Sequence, residues 1–105
     1  MYTRNVSMKL KANNVAEFTR TLENEVIPVL RKQKGFRDEI TLVAPERNEV
    51  VAISFWDMKE DGESYNREKY PEILKTLSKV VEGTPRVEMF EVANSTSHQI
   101  AAKAA

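Results

Sequence analysis

The sequence predicts one α+β domain in which an antiparallel sheet carries two helices on one face. Three observations lead to this prediction. The segment Glu49–Asp57 (EVVAISFWD) is the densest apolar run and is apolar on both of its alternating faces, as expected of a central strand covered on both sides. Two longer stretches place apolar residues three and four positions apart, which is typical of amphipathic helices. The elements follow in the order strand, helix, strand, strand, helix, strand.

The chain begins with a strand followed by a helix. Tyr2–Leu10 alternates polar with apolar residues, which indicates a strand with two different faces. A helix is expected to follow as far as about Lys34. Pro28 lies within it and removes one backbone hydrogen bond, so the helix should be distorted about one turn upstream. Gly35 is suited to end the helix in the left-handed conformation.

The next segments predict a β-hairpin. Phe36–Val43 is half polar, which indicates a strand at the edge of the sheet. Ala44–Asn48 (APERN) has the length and composition of a turn. It leads into Glu49–Trp56, the central strand described above.

A second helical pattern follows this hairpin. Asp57–Glu63 is polar and contains a glycine, so it is predicted to be a loop. A short helical segment is expected over Ser64–Lys69, and a second helix should begin with Pro71 in its first turn. Gly83 and Pro85 are expected to end that helix.

The last strand and the tail complete the chain. Arg86–Val92 alternates and is predicted to be the fourth strand, so the domain is expected to span residues 1–93. Residues 94–105 are polar and then rich in alanine, which is typical of a terminal tail. Ser95, Thr96 or Ser97 would suit the start of a short terminal helix lying on a partner subunit.

This order of elements forms two βαβ units, whose right-handed crossovers place strands one and three in the centre. The result is a ferredoxin-like βαββαβ fold with strand order 4-1-3-2 and both helices on one face. Several residues on the other face of the sheet are also apolar, and an exposed apolar surface of this size is unusual in a monomer. A homodimer joined through that sheet face is therefore expected.

Composition excludes several classes of function. The 16 basic and 16 acidic residues balance, so the chain lacks the basic surface that nucleic acids or anionic membranes require. There is no cysteine, which excludes disulfides, thiolate nucleophiles and cysteine-based metal centres. No apolar run approaches the roughly 20 residues of a membrane span, and no signal peptide is recognisable. A cytoplasmic protein is expected.

Three segments, Val26–Phe36 (VIPVLRKQKGF), Ser54–Asp57 (SFWD) and Val81–Val92 (VEGTPRVEMFEV), together with the element order, carry a family resemblance. The chain resembles the antibiotic biosynthesis monooxygenase-like group of the dimeric α+β barrel superfamily. The resemblance implies a ferredoxin-like homodimer. It also implies functions that range from cofactor-independent oxidation of phenols or quinols to haem degradation.

The resemblance suggests two catalytic residues. Monooxygenases of this group tend to carry an asparagine on the first strand and a tryptophan on the third, and Asn5 and Trp56 would fill these places. Asn5 would polarise a substrate oxygen and Trp56 would pack against the substrate ring. An ordinary strand position for Asn5 and a purely structural core role for Trp56 are the alternatives.

Four further aromatic residues are candidates for substrate binding: Phe18, Tyr65, Tyr70 and Phe90. The two tyrosines would close a cavity between sheet and helices, or they are surface residues of an irregular helix start. The haem-degrading proteins bind iron through a histidine on the second helix, but Ser64–Glu82 contains none and the lone His98 lies in the tail. No metal site and no cofactor are expected.

These observations support three hypotheses. The first is a cofactor-free monooxygenase that oxidises a small phenolic or quinol substrate in a cavity between the sheet and the helices. The second is a module that binds a small apolar or aromatic ligand without catalysis. The third is a dimerising scaffold whose cavity is filled by Trp56, Phe18 and Phe90.

Overall fold

The structure is a computed structural model that describes residues 1–97. Its four strands are β1 (Tyr2–Leu10), β2 (Phe36–Ala44), β3 (Glu49–Trp56) and β4 (Val81–Glu91). Its helices are α1 (Val15–Thr21), α2 (Ile27–Arg31), α3 (Lys59–Glu68) and α4 (Tyr70–Leu77). A π-helical segment, Leu22–Val26, joins α1 to α2, and a 3₁₀ turn, Pro45–Arg47, joins β2 to β3.

The strands form one antiparallel sheet in the order β2-β3-β1-β4. This confirms the predicted ferredoxin-like α+β fold, with β1 and β3 in the centre and β2 at an edge. The predicted hairpin between β2 and β3 is also present, with Asn48 in the left-handed conformation after the 3₁₀ turn.

The first helix is distorted where its proline predicts. Pro28 lies in the first turn of α2, and the helix immediately upstream widens into the π-helical segment. A proline has no N–H to donate to the preceding turn, so the wider turn accommodates the missing bond. Gly35 adopts a φ of 78°, the left-handed conformation predicted for it, although the helix ends earlier, at Arg31.

The prediction of a loop over Asp57–Glu63 is wrong, because α3 already begins at Lys59. Gly62 lies buried inside this helix rather than in a loop. A Cβ atom there would lie 2.8 Å from Cε of Met89 and 3.5 Å from the ring of Trp56. Glycine therefore leaves room between α3 and the side chain of Met89 on β4, although glycine is typical of loops.

The boundary between the last helix and the last strand also differs from the prediction. Helix α4 ends at Leu77 and β4 begins at Val81, so Gly83 and Pro85 lie within the strand rather than at the end of a helix. Gly83 has a φ of 72° where the pairing of β1 with β4 shifts register, and an irregularity of this kind tolerates both residues. The terminal helix predicted for the tail, and His98, lie outside the described residues.

The two faces of the sheet differ in what covers them. The helix-covered face packs against the helices and forms one core. The open face presents apolar side chains to solvent: Ile40, Leu42 and Phe90 are about half exposed, while Val51, Ile53 and Phe55 are partly buried. Strand pleating assigns alternate residues of every strand to these two faces.

Candidate functional site

A small cavity lies between the helix-covered face of the sheet and the helices. The volume of the cavity is about 40 Å³, and it is about 400 Å³ when the space at the open mouth is included. Its wall is mainly apolar, and the apolar residues that line it are Val6, Met8, Leu22, Val26, Leu30, Ala52, Ile73 and Leu77. Its polar lining consists of Arg4, Glu39, Ser54, Tyr65 and Tyr70.

Irregular helix geometry forms two walls of this cavity. Leu22 and Val26 are the first and last residues of the π-helical segment, and both line the cavity. On the other side, α3 gives way to α4 at Lys69, between Tyr65 and Tyr70, which also line it. Both prolines predicted to interrupt the helices are therefore associated with segments that face the same space.

Arg4 is the charged residue buried deepest at this cavity, with 4% of its surface exposed. Its Nε and Nη2 atoms both donate hydrogen bonds to Oδ1 of Asn66, at 3.1 and 2.8 Å. Within residues 1–97 it forms no ion pair with a carboxylate. Burial lowers the pKa of Arg4, but a guanidinium stays protonated at neutral pH. The cavity thus contains a cation whose nearest partners are neutral.

Two tyrosine rings hold this guanidinium in place. The Cζ atom of Arg4 lies 4.2 Å from the ring centroid of Tyr70 and 5.1 Å from that of Tyr65, which are cation–π distances. Burial raises the pKa of Tyr65 to about 12 and also raises that of Tyr70, although the charge of Arg4 opposes both shifts. Both phenols therefore stay neutral at neutral pH.

The hydroxyl of Tyr70 is buried beside the guanidinium of Arg4, with which it interacts, but it makes no hydrogen bond of ordinary geometry with any described residue. A buried hydroxyl without a partner costs free energy. It therefore offers a hydrogen bond to a water molecule or a ligand in the cavity.

Glu39 is the acidic residue of the cavity and lies on the edge strand β2. It is half-buried, and Oγ1 of Thr41 donates a 2.7 Å hydrogen bond to its Oε2 atom. Burial is the main cause that raises the pKa of Glu39. Glu39 and Leu22 also line a surface groove between the π-helical segment and β2, so they stand between the cavity and solvent.

The structure brings two of the six predicted site residues to the cavity. Tyr65 and Tyr70 line it, and Tyr65 is a buried residue rather than part of a surface helix start. Asn5 does not reach it. Asn5 pairs with Ile53 and alternates with Arg4 and Val6, so it belongs to the open face.

The other three predicted residues also lie away from the cavity lining. Trp56 is fully buried; its Nε1 donates to Oγ of Ser54 at 2.8 Å, and its ring packs against Phe36 and Tyr65. This is the structural core position considered as the alternative for Trp56. Phe18 is fully buried in the core, and Phe90 is half exposed on the open face.

The prediction missed Arg4 and Glu39, and only one of them carries a sequence signal. Arg4 shares the apolar face of β1 with Val6, Met8 and Leu10, so an alternating strand places a charge where the core is expected. A charge at a core position is a candidate functional residue. Glu39 has no such signal, because an edge strand carries charged residues for many reasons.

Solved structures of other proteins share this fold. A monooxygenase from Streptomyces coelicolor, ActVA-Orf6, in complex with nanaomycin D has a TM-score of 0.76 and 13% identity, over 90% of this chain and 88% of its own. The cofactor-independent oxygenase SnoaB from Streptomyces nogalater has a TM-score of 0.75 and 15% identity, over 92% of this chain and 97% of its own. The chain has the same fold as these two proteins.

This fold also occurs in a Bordetella bronchiseptica protein described as a candidate antibiotic biosynthesis monooxygenase, at a TM-score of 0.75 and 11% identity, over 89% of this chain and 97% of its own. The resemblance found in the sequence is thus confirmed by structure, and at these identities it concerns the fold. No family model matches the sequence, and no curated protein matches it.

Neither a metal-binding cluster nor a membrane-spanning helix is found in the part of the chain that the structure describes. No three histidine, cysteine or acidic side chains lie close enough together in residues 1–97 to hold a metal ion. None of the helices described is both long and apolar enough to cross a membrane.

Proposed function

We propose that the protein is a cofactor-independent monooxygenase that acts on a small aromatic compound carrying a hydroxyl group. The observation that carries this proposal is the buried Arg4, a cation that faces an otherwise apolar cavity and has only neutral partners. A buried charge is costly unless something compensates it. An oxyanion flanked by an aromatic ring supplies that charge and also suits the apolar wall.

The chemistry follows from stabilising this anion. A phenol loses its proton, and its electron-rich phenolate then reacts with dioxygen. When an aromatic methylene is oxidised to a carbonyl, one oxygen atom enters the product and the other leaves as water with the two substrate hydrogens. The substrate supplies all the electrons. Arg4 would stabilise the phenolate, while Tyr65 and Tyr70 would hold the ring and exclude water.

The fold similarity supports this proposal, since its neighbours include a cofactor-independent oxygenase and a monooxygenase bound to nanaomycin D. The size of the cavity limits it. A water molecule needs about 10–15 Å³ of cavity volume, so the cavity of about 40 Å³ holds roughly three water molecules. A ligand of one ring suits a cavity of this size, whereas a polycyclic substrate would require the helices to move.

The small volume also favours a second candidate function, a module that binds a small aromatic ligand without catalysis. Such a module would use the same cation and the same apolar wall. It predicts saturable binding of a phenol without oxygen consumption.

Self-association through the open face belongs to the same proposal. Ile40 and Leu42 lie on one outer strand of that face and Phe90 on the other, and all three are about half exposed. The chain carries no net charge to oppose contact between two copies. A two-fold axis parallel to the strands would lay the β4 edge of one copy over the β2 edge of the other. The buried, unpaired Oδ1 atom of Asn5 on this face would gain a partner there.

Oxygen uptake by the metal-free protein with a panel of phenols and quinols of one ring tests the catalytic proposal. Arg4→Met should lower kcat/KM by roughly 100- to 1,000-fold, the effect of losing one oxyanion donor. Arg20→Met is the matched control, because Arg20 is exposed and its ion-pair partner among residues 1–97 is Glu17. Equal rates for wild type and Arg4→Met would remove Arg4 from the mechanism. Binding without uptake across the panel would favour the second candidate.

A further inference from the structure

Polar side chains cross the floor of the cavity in a single row. Ser54 of β3 pairs with Arg4 of β1 on one side and with Glu39 of β2 on the other. All three residues line the cavity. The two charged residues are therefore separated by two strand spacings, about 10 Å between their backbones.

The ends of this row have opposite charges but do not neutralise each other. No nitrogen of Arg4 lies within the 4.0 Å of a Glu39 oxygen that an ion pair requires. Ser54 offers no bridge, since its Oγ accepts a hydrogen bond from Nε1 of Trp56 and donates one to the backbone oxygen of Arg4. A gap of this kind leaves room for a ligand oxygen between the cation and the carboxylate.

Glu39 has a carboxylate oxygen that is available to accept a hydrogen bond from such a ligand. Thr41 donates to Oε2, and Oε1 accepts no hydrogen bond from the residues that the structure describes. The carboxylate also reaches the surface groove between β2 and the π-helical segment. The anion bound beside Glu39 keeps the proton on it, and once that anion has left, the proton can return to solvent through this groove without crossing the apolar wall.

We propose that Glu39 is the general base of this site and accepts the hydroxyl proton of a ligand whose oxygen lies between it and Arg4. The O–H bond of the ligand breaks, the proton bonds to Oε1 of Glu39, and the electron pair remains on the ligand oxygen beside the guanidinium. The ligand is thus a neutral hydroxyaryl compound that becomes an anion only after it has entered. This inference rests on the proposed oxyanion role of Arg4 and names the residue that creates the anion.

The groups around Glu39 agree with this role. Burial favours its protonated form, so its raised pKa makes it a better proton acceptor than an exposed glutamate. The titratable groups that face it from the surrounding elements are Arg4 of β1, Tyr65 of α3, Tyr70 of α4 and Glu23 of the π-helical segment, with Asp38 on its own strand. Both tyrosines stay neutral because their pKa values are raised. Of the three carboxylates among these groups, Glu39 alone lines the cavity, so it is the one placed to accept a proton from a ligand there.

A proton count with 4-nitrophenol tests the inference, because its colour reports ionisation and it need not be oxidised. The protein is mixed with the phenol in weakly buffered solution at a pH where the free ligand is mainly neutral. Absorbance gives the bound nitrophenolate, and a pH indicator gives the protons released to solvent. The variants are Glu39→Gln, Glu39→Asp and, as a control in the same groove, Glu23→Gln.

Wild type and Glu23→Gln should form bound nitrophenolate while releasing well under one proton for each ion formed, because Glu39 keeps the proton. Glu39→Gln should either leave the bound phenol neutral or release about one proton per ion, and Glu39→Asp should restore part of the wild-type behaviour. Release of a full proton by wild type, or unchanged behaviour of Glu39→Gln, overturns the role of Glu39. A phenol that binds without colour, or does not bind, overturns the oxyanion role of Arg4 on which the inference rests.

Discussion

The two faces of the sheet use the same strands for different purposes. On β1, Arg4 is buried beneath the helices and its neighbour Asn5 lies on the open face. Beneath the helices, a buried cation lies at a cavity that it does not fill. On the open face, Ile40 and Leu42 of one edge strand and Phe90 of the other are about half exposed. The comparison indicates that the helix-covered face is suited to a small ligand and the open face to a protein surface.

The largest expected difference between the faces is in core stability. Phe18→Ala removes a fully buried ring beneath the helices and should lower the free energy of unfolding by about 3–5 kcal/mol. Phe90→Ala removes a half-exposed ring on the open face and should cost less than about 1 kcal/mol in the monomer. Urea denaturation at low protein concentration measures both. Similar losses would mean that the open face belongs to the core of the monomer.

The ionisation of Tyr65 provides a pH test of the helix-covered face. Its pKa is raised from 10.0 to about 12, so the folded protein keeps the phenol neutral where the unfolded chain ionises it. The stability due to this neutral form is fully present below pH 10 and is lost as pH rises to 12, by about 2 kcal/mol.

The difference between wild type and Tyr65→Phe isolates this contribution from the deprotonation of lysines. Denaturation at a series of pH values should show a steeper decline for wild type than for Tyr65→Phe over this window. Tyr2→Phe is the control, because its hydroxyl is bonded to Glu91 at an exposed site. Parallel curves for wild type and Tyr65→Phe would show that the site does not exclude the phenolate.

Two glycines compare a closely packed position beside α3, Gly35, with an open position, Gly83. Gly35 and Gly83 both have positive φ values, so alanine at either position should cost about 1–2 kcal/mol. At Gly35 a Cβ atom would also lie 2.0 Å from Oδ2 of Asp61 in α3, whereas nothing lies within 4 Å at Gly83. Gly35→Ala should therefore lower the free energy of unfolding by about 1 kcal/mol more than Gly83→Ala does. Thermal denaturation of the two variants compares them, and equal losses would argue against close packing of α3 at Gly35.

The smallest expected effect on folding comes from a charge on the open face. Leu42→Lys should change the stability of the monomer by less than about 0.5 kcal/mol, since this side chain is half exposed. It should nevertheless abolish self-association, which light scattering over a range of concentrations measures. Thr19→Lys on α1 is the matched control and should leave association intact. If both variants kept the wild-type mass, the open face would not be the contact between copies.

The strand order was predictable because alternation and apolar runs report directly on burial. Tyr2–Leu10 and Glu49–Trp56 match the predicted strands residue for residue. The boundaries around Gly62 and Gly83 were not predictable, because glycine usually marks a break in a segment taken alone, whereas here one glycine lies inside a helix and the other inside an irregular strand. Tertiary packing, rather than local preference, decides between these outcomes.

The site was less predictable than the fold. The tyrosines were placed at the cavity because the helix break before Pro71 is visible in the sequence. The proposed role of Asn5 came from a family pattern, whereas strand pleating turns Asn5 away from the helices and Arg4 toward them. Glu39 was missed because its neighbours in the cavity row, Ser54 and Arg4, lie on other strands, and register between strands is not encoded in any single segment.

The pKa of bound 4-nitrophenol tests the central claim, that Arg4 holds an oxyanion in the cavity, most directly. Absorbance titration at saturating protein gives this pKa for wild type, Arg4→Met and the control Arg20→Met. The account predicts that wild type and Arg20→Met lower the pKa of the phenol below its value in water. Arg4→Met should leave it unchanged or raised, because the apolar wall alone favours the neutral form. A wild-type value equal to or above that of the free phenol would contradict the claim.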